Sequence, residues 1–149
     1  GVRRWAELSV PMPAEFDQIV AATPQNRAAG YEHFRELVLG LFLPSPTNLC
    51  LGSAADVVQV VSEQQGAIGY VPLADATDAV KIVPIAGKPG MAPCTPTKAS
   101  VADGSYPLAR PLFLYSRTDG KPAVSAFLEW LASDAGRKVI EQAGLSPVR

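Results

Sequence analysis

Length, composition and charge place this 149-residue chain among single globular domains, or lobes of larger proteins, and exclude several other classes. Hydrophobic residues make up 48% of the sequence and charged residues 18%, which is too apolar for a disordered chain and sufficient for a buried core. The net charge is −1 without blocks of like charge, so no nucleic-acid partner is predicted. No apolar run in the sequence approaches the ~20 residues that a membrane-spanning helix needs.

The first half of the chain predicts helices that alternate with short strands. Residues 4–8 favour one helical turn and residues 16–22 a strand, while residues 28–42 carry apolar side chains at helical spacing. A further helix is expected to begin after Ser53, because its hydroxyl and the carboxylate of Asp56 can form a capping box. Four valines are expected on the buried face of that helix: Val57, Val58, Val60 and Val61.

The second half continues the alternation of strands and helices. Strands are predicted at 66–71, 80–85 and 111–116, where short apolar runs are bounded by turn residues. Helices are predicted at 97–103, 122–131 and 133–143. The inward side chains of the middle helix are expected to be Phe127, Leu128 and Leu131, and the last helix has Ser133 as its N-cap and Gly144 beyond its end. Interleaved strands and helices predict an α/β fold with a mixed or mostly parallel sheet flanked by helices.

Cysteine and histidine are too scarce for a local zinc cluster or a familiar catalytic triad. Zinc sites of Cys and His need three or four ligands, whereas the sequence holds one histidine, His33, and two cysteines, Cys50 and Cys94. His33 lies on the predicted helix 28–42 without a nucleophile motif beside it, so we predict no enzyme activity, no metal and no cofactor. Because both cysteines lie in proline-rich loops, they are either two buried thiols or one disulfide, which would imply an oxidising compartment.

Several segments of the chain follow one another in the order found in one known family. They are GVRRWAEL at 1–8, SAADVVQVV at 53–61 followed by GAIGYV at 66–71, TKASVADGSYPLARPLFLY at 97–115, and FLEWLASDAGRKVIEQAGLSP at 127–147. In these segments, which extend from end to end, the chain resembles the phosphate-type substrate-binding proteins of ABC transporters. The resemblance implies a periplasmic-binding-protein-like fold of type II, in which two lobes close about a hinge on an oxyanion.

The resemblance also implies a domain organisation. Residues 1–79 correspond to the second lobe of the clamp, and residues 80–149 to the returning segment and the C-terminal helices of the first lobe. The N-terminal part of the first lobe is implied to be missing, so the chain is a fragment, is completed by another chain, or forms one compact unit. The family implies a periplasmic or extracytoplasmic location, and the first residues of this chain lack the apolar stretch of a signal peptide.

The family's second lobe binds its anion with a loop of pattern Arg-x-Asp-Gly-Ser-Gly-Thr, followed by a Phe four residues beyond the Thr. Unpaired N–H groups at a helix start, a forked Arg side chain and two hydroxyls suit a phosphate. With Phe34 as the anchor, the Arg of the pattern falls on Pro24, and the family's other side-chain donors are also replaced. What remains is backbone N–H groups and one displaced cation. The ligand-binding positions that the resemblance implies are Asn26, Arg27, Ala28, Ala29 and Gly30.

The resemblance and the departures from it lead to two alternative functions. In the first, the protein or fragment binds phosphate or a related small oxyanion for uptake, without catalysis and with an ABC permease as partner. In the second, it is a binding-incompetent relative that acts as a sensory, scaffold or protein-interaction domain, with another chain or a second copy in a homodimer as partner. The second alternative predicts an exposed apolar face around residues 111–115.

Overall fold

The chain divides into two compact units in the computed structural model, which describes residues 1–25, 30–40, 42 and 45–147. Unit 1 comprises Gly1–Lys81 and unit 2 comprises Ile82–Arg149. The assignment of residues 1–79 and 80–149 to two lobes of one clamp stays a prediction.

Unit 1 is built around a three-stranded parallel sheet, which confirms the predicted α/β class. Strands β1 (Val20–Pro24), β2 (Leu49–Leu51) and β3 (Ala67–Gly69) lie in the order β2-β1-β3. Thr23 on β1 lies opposite Cys50 on β2, in parallel register. Because all three strands run in one direction, their carboxyl ends meet at a single edge of the sheet.

Two of these strands differ from their predictions. The strand predicted at 16–22 begins only at Val20, because Ala14–Phe16 form a 3-10 turn. β2 lies where the sequence predicts a loop. Its three residues are flanked by proline, asparagine and glycine and are fixed by pairing with β1, so no local strand pattern marks them.

Helix α2 (Ala54–Glu63) begins where the sequence predicts it, and its capping box is confirmed. The Ser53 hydroxyl accepts a hydrogen bond from the Asp56 N–H at 3.2 Å, and the Asp56 carboxylate accepts one from the Ser53 N–H at 3.0 Å. The single helical turn predicted at 4–8 is also confirmed, as a 3-10 turn at Trp5–Leu8.

Helix α1 (Tyr31–Leu37) is shorter than the helix predicted at 28–42. It follows Gly30, its N-cap, which has a left-handed φ of 90°, and Val38 is its C-cap. The predicted helical residues 28, 29 and 41 lie outside the described residues.

The core of unit 1 lies between α2 and the sheet. Val57 on α2 is 1% exposed and Ala22 on β1 is fully buried, while Val58 and Tyr31 are also buried. Close approach of α2 to β3 requires Gly69, since a Cβ there would lie 2.6 Å from Val57 Cγ1. The predicted valine face is therefore correct for its first two residues, whereas Val60 and Val61 are half-buried.

Unit 2 contains the three helices that the sequence predicts. They are α3 (Lys98–Ala102), α4 (Pro122–Ala132) and α5 (Asp134–Gln142). Ser133 caps α5, since its hydroxyl accepts a hydrogen bond from the Gly136 N–H at 3.4 Å. Gly104 and Gly144 adopt left-handed φ values of 75° and 77° after α3 and α5, as their positions predict. None of the helices in the described residues is long and apolar enough to cross a membrane.

The predictions of strands at 80–85 and 111–116 are wrong, because no described strand of unit 2 forms a hydrogen-bonded ladder with either segment. Ile85 makes a single antiparallel bridge with Cys94, and residues 111–116 pair with no described strand. A β-prone sequence becomes a strand only when a neighbouring strand accepts its hydrogen bonds. Phe127, predicted inward on α4, is 53% exposed, whereas Leu128 and Leu131 are half-buried.

Candidate functional site

The strand order of unit 1 predicts a ligand site at the carboxyl edge of its sheet. The chain passes from β1 to β2 on one side and then from β2 to β3 on the other side of β1, so the strand order reverses about β1. In open α/β sheets, ligands bind at such a switch point, outside the carboxyl ends of the strands. Residues 26–30 come directly after β1, and Tyr70 comes directly after β3.

Of the predicted ligand-binding residues, Gly30 is the one that the structure describes. A Cβ built on Gly30 would meet no described heavy atom within 4 Å, and its positive φ disfavours other residues. The backbone at Gly30 is therefore open to close approach. The other four predicted positions, Asn26, Arg27, Ala28 and Ala29, lie outside the described residues.

An aromatic stack joins α1 to the residue that follows β3. The rings of Phe34 and Tyr70 are nearly parallel, at 6°, with centroids 3.8 Å apart. Burial raises the pKa of Tyr70 to about 12, with smaller contributions from Tyr31 and Cys50. The Tyr70 phenol therefore remains protonated, and able to donate a hydrogen bond, up to strongly alkaline pH.

A cavity of about 460 Å³ opens at the carboxyl ends of β1 and β2. We call it the β1–β2 cavity. None of its described lining residues carries a formal charge, and most carry a hydroxyl or a carboxamide. These lining residues are Thr23, Pro24, Gln25, Tyr31, Ser45, Pro46, Asn48 and Cys50.

Parallel pairing explains why residues so distant in sequence line one cavity. The N–H of Gln25 donates to the carbonyl of Leu51 at 2.9 Å, which continues the register of β1 and β2 past Pro24. A turn in which the Asn48 N–H donates to the Ser45 carbonyl at 3.0 Å brings the chain into β2. The sequence analysis missed this cavity. The position of Thr23 at the end of a predicted buried strand was the one local signal that could have marked it.

The described residues contain no group of three histidine, cysteine or acidic side chains placed to hold a metal ion. His33 lies half-buried on α1. Both cysteines are free thiols, so the disulfide alternative is not formed. Cys50 is exposed and Cys94 is half-buried. On α1, Arg35 is held by Glu32 through a salt bridge of 2.6 Å.

Comparison with known protein families assigns this chain to one of them. The PBP superfamily domain matches residues 5–135, and the chain therefore belongs to the PBP superfamily of substrate-binding proteins. This match and the parallel α/β sheet of unit 1 confirm the predicted periplasmic-binding-protein-like fold.

Individual relatives place the chain closer to one branch of that superfamily. It is 34% identical over 131 residues to the phosphate-binding protein PstS of Pseudomonas aeruginosa, a match that covers 83% of this chain and 40% of that protein. The predicted resemblance to phosphate-type substrate-binding proteins is thereby confirmed.

Two solved structures share the fold. An ABC-type phosphate transport receptor from Vibrio cholerae matches with a TM-score of 0.77 and 21% identity, over 98% of this chain and 58% of the receptor. A phosphate-binding protein of a phosphate ABC transporter from Streptococcus pneumoniae matches with a TM-score of 0.74 and 22% identity, over 88% of this chain and 51% of that protein. The chain thus spans roughly half the length of the proteins that it matches.

Proposed function

We propose that this chain binds phosphate or a related small oxyanion at the carboxyl edge of the unit 1 sheet, without chemical change. Binding takes place outside the cytoplasm and supplies the anion to an ABC permease for uptake. The observation that carries the proposal is the 34% identity to a protein named as phosphate-binding, over most of this chain. The fold supports it, because the switch point of a parallel sheet is where such domains bind ligands.

The proposed ligand segment is Asn26 to Gly30. Gly30 has no side chain, so an anion can approach its backbone closely. Arg27 supplies the one positive charge of the segment, and a charged hydrogen bond to an oxyanion is worth ~1.5–3 kcal/mol. The protonated phenol of Tyr70 lies directly after β3, on the other side of the switch point, as a further donor.

Thermal unfolding against phosphate tests this proposal. Phosphate at ~100 times its Kd is expected to raise the free energy of unfolding by ~2.7 kcal/mol, because it binds the folded state alone. Chloride at equal ionic strength is the control for screening.

Arg27→Gln is expected to raise the phosphate concentration needed for the same stabilisation at least tenfold, because a tenfold loss of affinity corresponds to ~1.4 kcal/mol of binding free energy. The matched control Arg110→Gln changes an exposed arginine of unit 2 and is expected to have no effect. A melting temperature that does not respond to saturating phosphate would contradict the proposal.

A specific observation favours protein interaction as a second candidate function. Leu112, Phe113, Leu114 and Tyr115 are 67%, 69%, 70% and 91% exposed, which matches the apolar face expected for an interaction domain. Exposed apolar patches of this kind mark surfaces that bind other polypeptides. Sedimentation velocity distinguishes this function: association that is lost in a Leu112→Ser, Leu114→Ser double variant supports it. A monomer at all concentrations and with candidate partners would exclude it.

A further inference from the structure

Thr23, a mostly buried residue that lines the β1–β2 cavity, has a hydroxyl without a partner among the described residues. Thr23 is 8% exposed, and its hydroxyl makes no hydrogen bond to any described residue. Among the described residues, every side-chain nitrogen or oxygen that is sealed from solvent has a hydrogen-bond partner. The Thr23 hydroxyl is therefore not sealed, and the cavity that Thr23 lines is where it is accessible.

The hydroxyl is not needed for the strand. Valine has nearly the same shape as threonine, and the preceding residues of β1 are the apolar Val20, Ala21 and Ala22. Because the hydroxyl is accessible from the cavity, it can exchange a water molecule for a ligand group that both donates and accepts hydrogen bonds.

The other lining groups indicate what such a ligand carries. Gln25 and Asn48 offer carboxamides, and Ser45 and Tyr31 offer hydroxyls, so each can both donate and accept hydrogen bonds. Hydroxyl groups on a ligand complement such side chains, because they too donate and accept. Pro24 and Pro46 add apolar walls suited to carbon-bound hydrogens.

The cavity is larger than an inorganic oxyanion requires. Its volume of about 460 Å³ falls within the ~300–1,000 Å³ of small-molecule sites. A tetrahedral oxyanion has five heavy atoms and would leave most of this space to water. Two of its lining residues, Gln25 and Tyr31, flank the proposed anion-binding segment in the sequence.

We propose that the β1–β2 cavity holds the hydroxyl-bearing part of an organic phosphate, with Thr23 as the residue that determines this specificity. The ligand class is a phosphate monoester of a small polyol. This inference rests on the proposed binding of phosphate in unit 1 and names the substrate class of that site.

Isothermal titration of the whole chain with glycerol phosphate, inorganic phosphate and glycerol tests the inference. Glycerol phosphate is expected to bind about tenfold more tightly than phosphate, which corresponds to one or two additional neutral hydrogen bonds. Thr23→Val is expected to remove most of that preference and to leave phosphate binding unchanged. Thr23→Ser restores the hydroxyl and is expected to restore the preference. Thr118→Val, in an exposed turn of unit 2, is the matched control and is expected to behave as the wild type.

The outcomes separate this inference from the proposed function. Equal affinity for glycerol phosphate and phosphate, or a preference that survives in Thr23→Val, would overturn the inference while phosphate binding stands. Binding of neither ligand by the wild type would overturn both. The thermal unfolding curve of Thr23→Val, expected to match that of the wild type, shows that any loss of preference does not come from unfolding.

Discussion

Unit 1 and unit 2 both contain helices, but they differ in the apolar side chains that those helices bury. The buried aliphatic and aromatic side chains of the described residues all lie in unit 1: Ala22, Pro24, Tyr31, Val57 and Val58. In unit 2 the buried described residues are Ser100 and Gly136, and the apolar run 111–115 is exposed. Helices form in both units because their capping residues are close in sequence. A buried core requires strands from distant segments to pair, and the described sheet lies in unit 1. We therefore expect truncation of apolar side chains in the interior of unit 1 to have larger effects than matched truncations in unit 2.

Gly66→Ala is expected to have the largest effect of the substitutions in unit 1, lowering the free energy of unfolding by about 3 kcal/mol. A Cβ at Gly66 would lie 2.6 Å from the carbonyl oxygen of Gln18 and 2.7 Å from that of Phe16, backbone atoms that cannot rotate away. The control is Gly52→Ala, whose Cβ would lie 3.5 Å from an Asp56 carboxylate oxygen, an ordinary contact. Urea unfolding measures both variants. Equal midpoints would show that the contact beside β3 is not tight.

Val57→Ala in unit 1 is expected to lower the free energy of unfolding by about 2 kcal/mol, because a side chain 1% exposed loses its burial and leaves a cavity. The matched substitution in unit 2 is Val139→Ala, at a residue 48% exposed, with an expected effect below about 0.5 kcal/mol. Each unit holds one tryptophan, Trp5 and Trp130. Fluorescence in single-tryptophan variants therefore follows each unit during urea unfolding. A larger loss from Val139→Ala would reverse the comparison.

Ser53→Ala is expected to lower the free energy of unfolding by about 1 kcal/mol through loss of the α2 capping box. Ser133→Ala, at the corresponding position of α5, is expected to have a comparable effect, because it loses a longer cap hydrogen bond of 3.4 Å together with the hydrogen bond that the Ser133 hydroxyl donates to the Trp130 carbonyl at 2.6 Å. Ser62→Ala removes a serine from the interior of α2 and is expected to be neutral, since alanine favours helix. Amide exchange in α2 and α5 measures the loss in each unit. Equal protection in all three variants would contradict the capping argument.

The contribution of Tyr70 to the stability of unit 1 changes only at alkaline pH. Its folded pKa of about 12 lies above the ordinary value of 10, so the folded state holds a proton that the unfolded state releases between these values. Stability is therefore constant below pH 10 on account of this group and falls as pH rises from 10 to 12. Tyr70→Phe keeps the ring and is expected to reduce the fall, whereas Tyr115→Phe, at a residue 91% exposed, is the control. Alkaline unfolding curves that coincide for Tyr70→Phe and the wild type would contradict this account.

The elements that could be predicted from sequence are those with local causes. The capping box of Ser53 and Asp56 marks the start of α2, and Gly144 follows the end of α5, because each signal acts within one helical turn. β2 could not be predicted, because only its register with β1 makes its three residues a strand. Residues 111–116 show the reverse case, an apolar run without a described partner strand.

The candidate site divides in the same way. The segment 26–30 could be proposed from a family pattern because that pattern is contiguous in sequence, and its role stays a prediction. The β1–β2 cavity could not, because Thr23, Ser45 and Asn48 converge only when β1 and β2 pair. In the sequence Thr23 directly follows the strand predicted at 16–22. That its hydroxyl has no described partner follows only from the burial and hydrogen bonding in the folded chain.

The most direct test of phosphate binding in unit 1 is an amide chemical-shift titration of the chain with phosphate. Saturating shifts are expected at the carboxyl edge of the sheet, including the amides of Gln25, Gly30 and Tyr70, with α4 and α5 unmoved. Shifts confined to unit 2, or no shift at any amide up to high phosphate concentration, would contradict phosphate binding in unit 1.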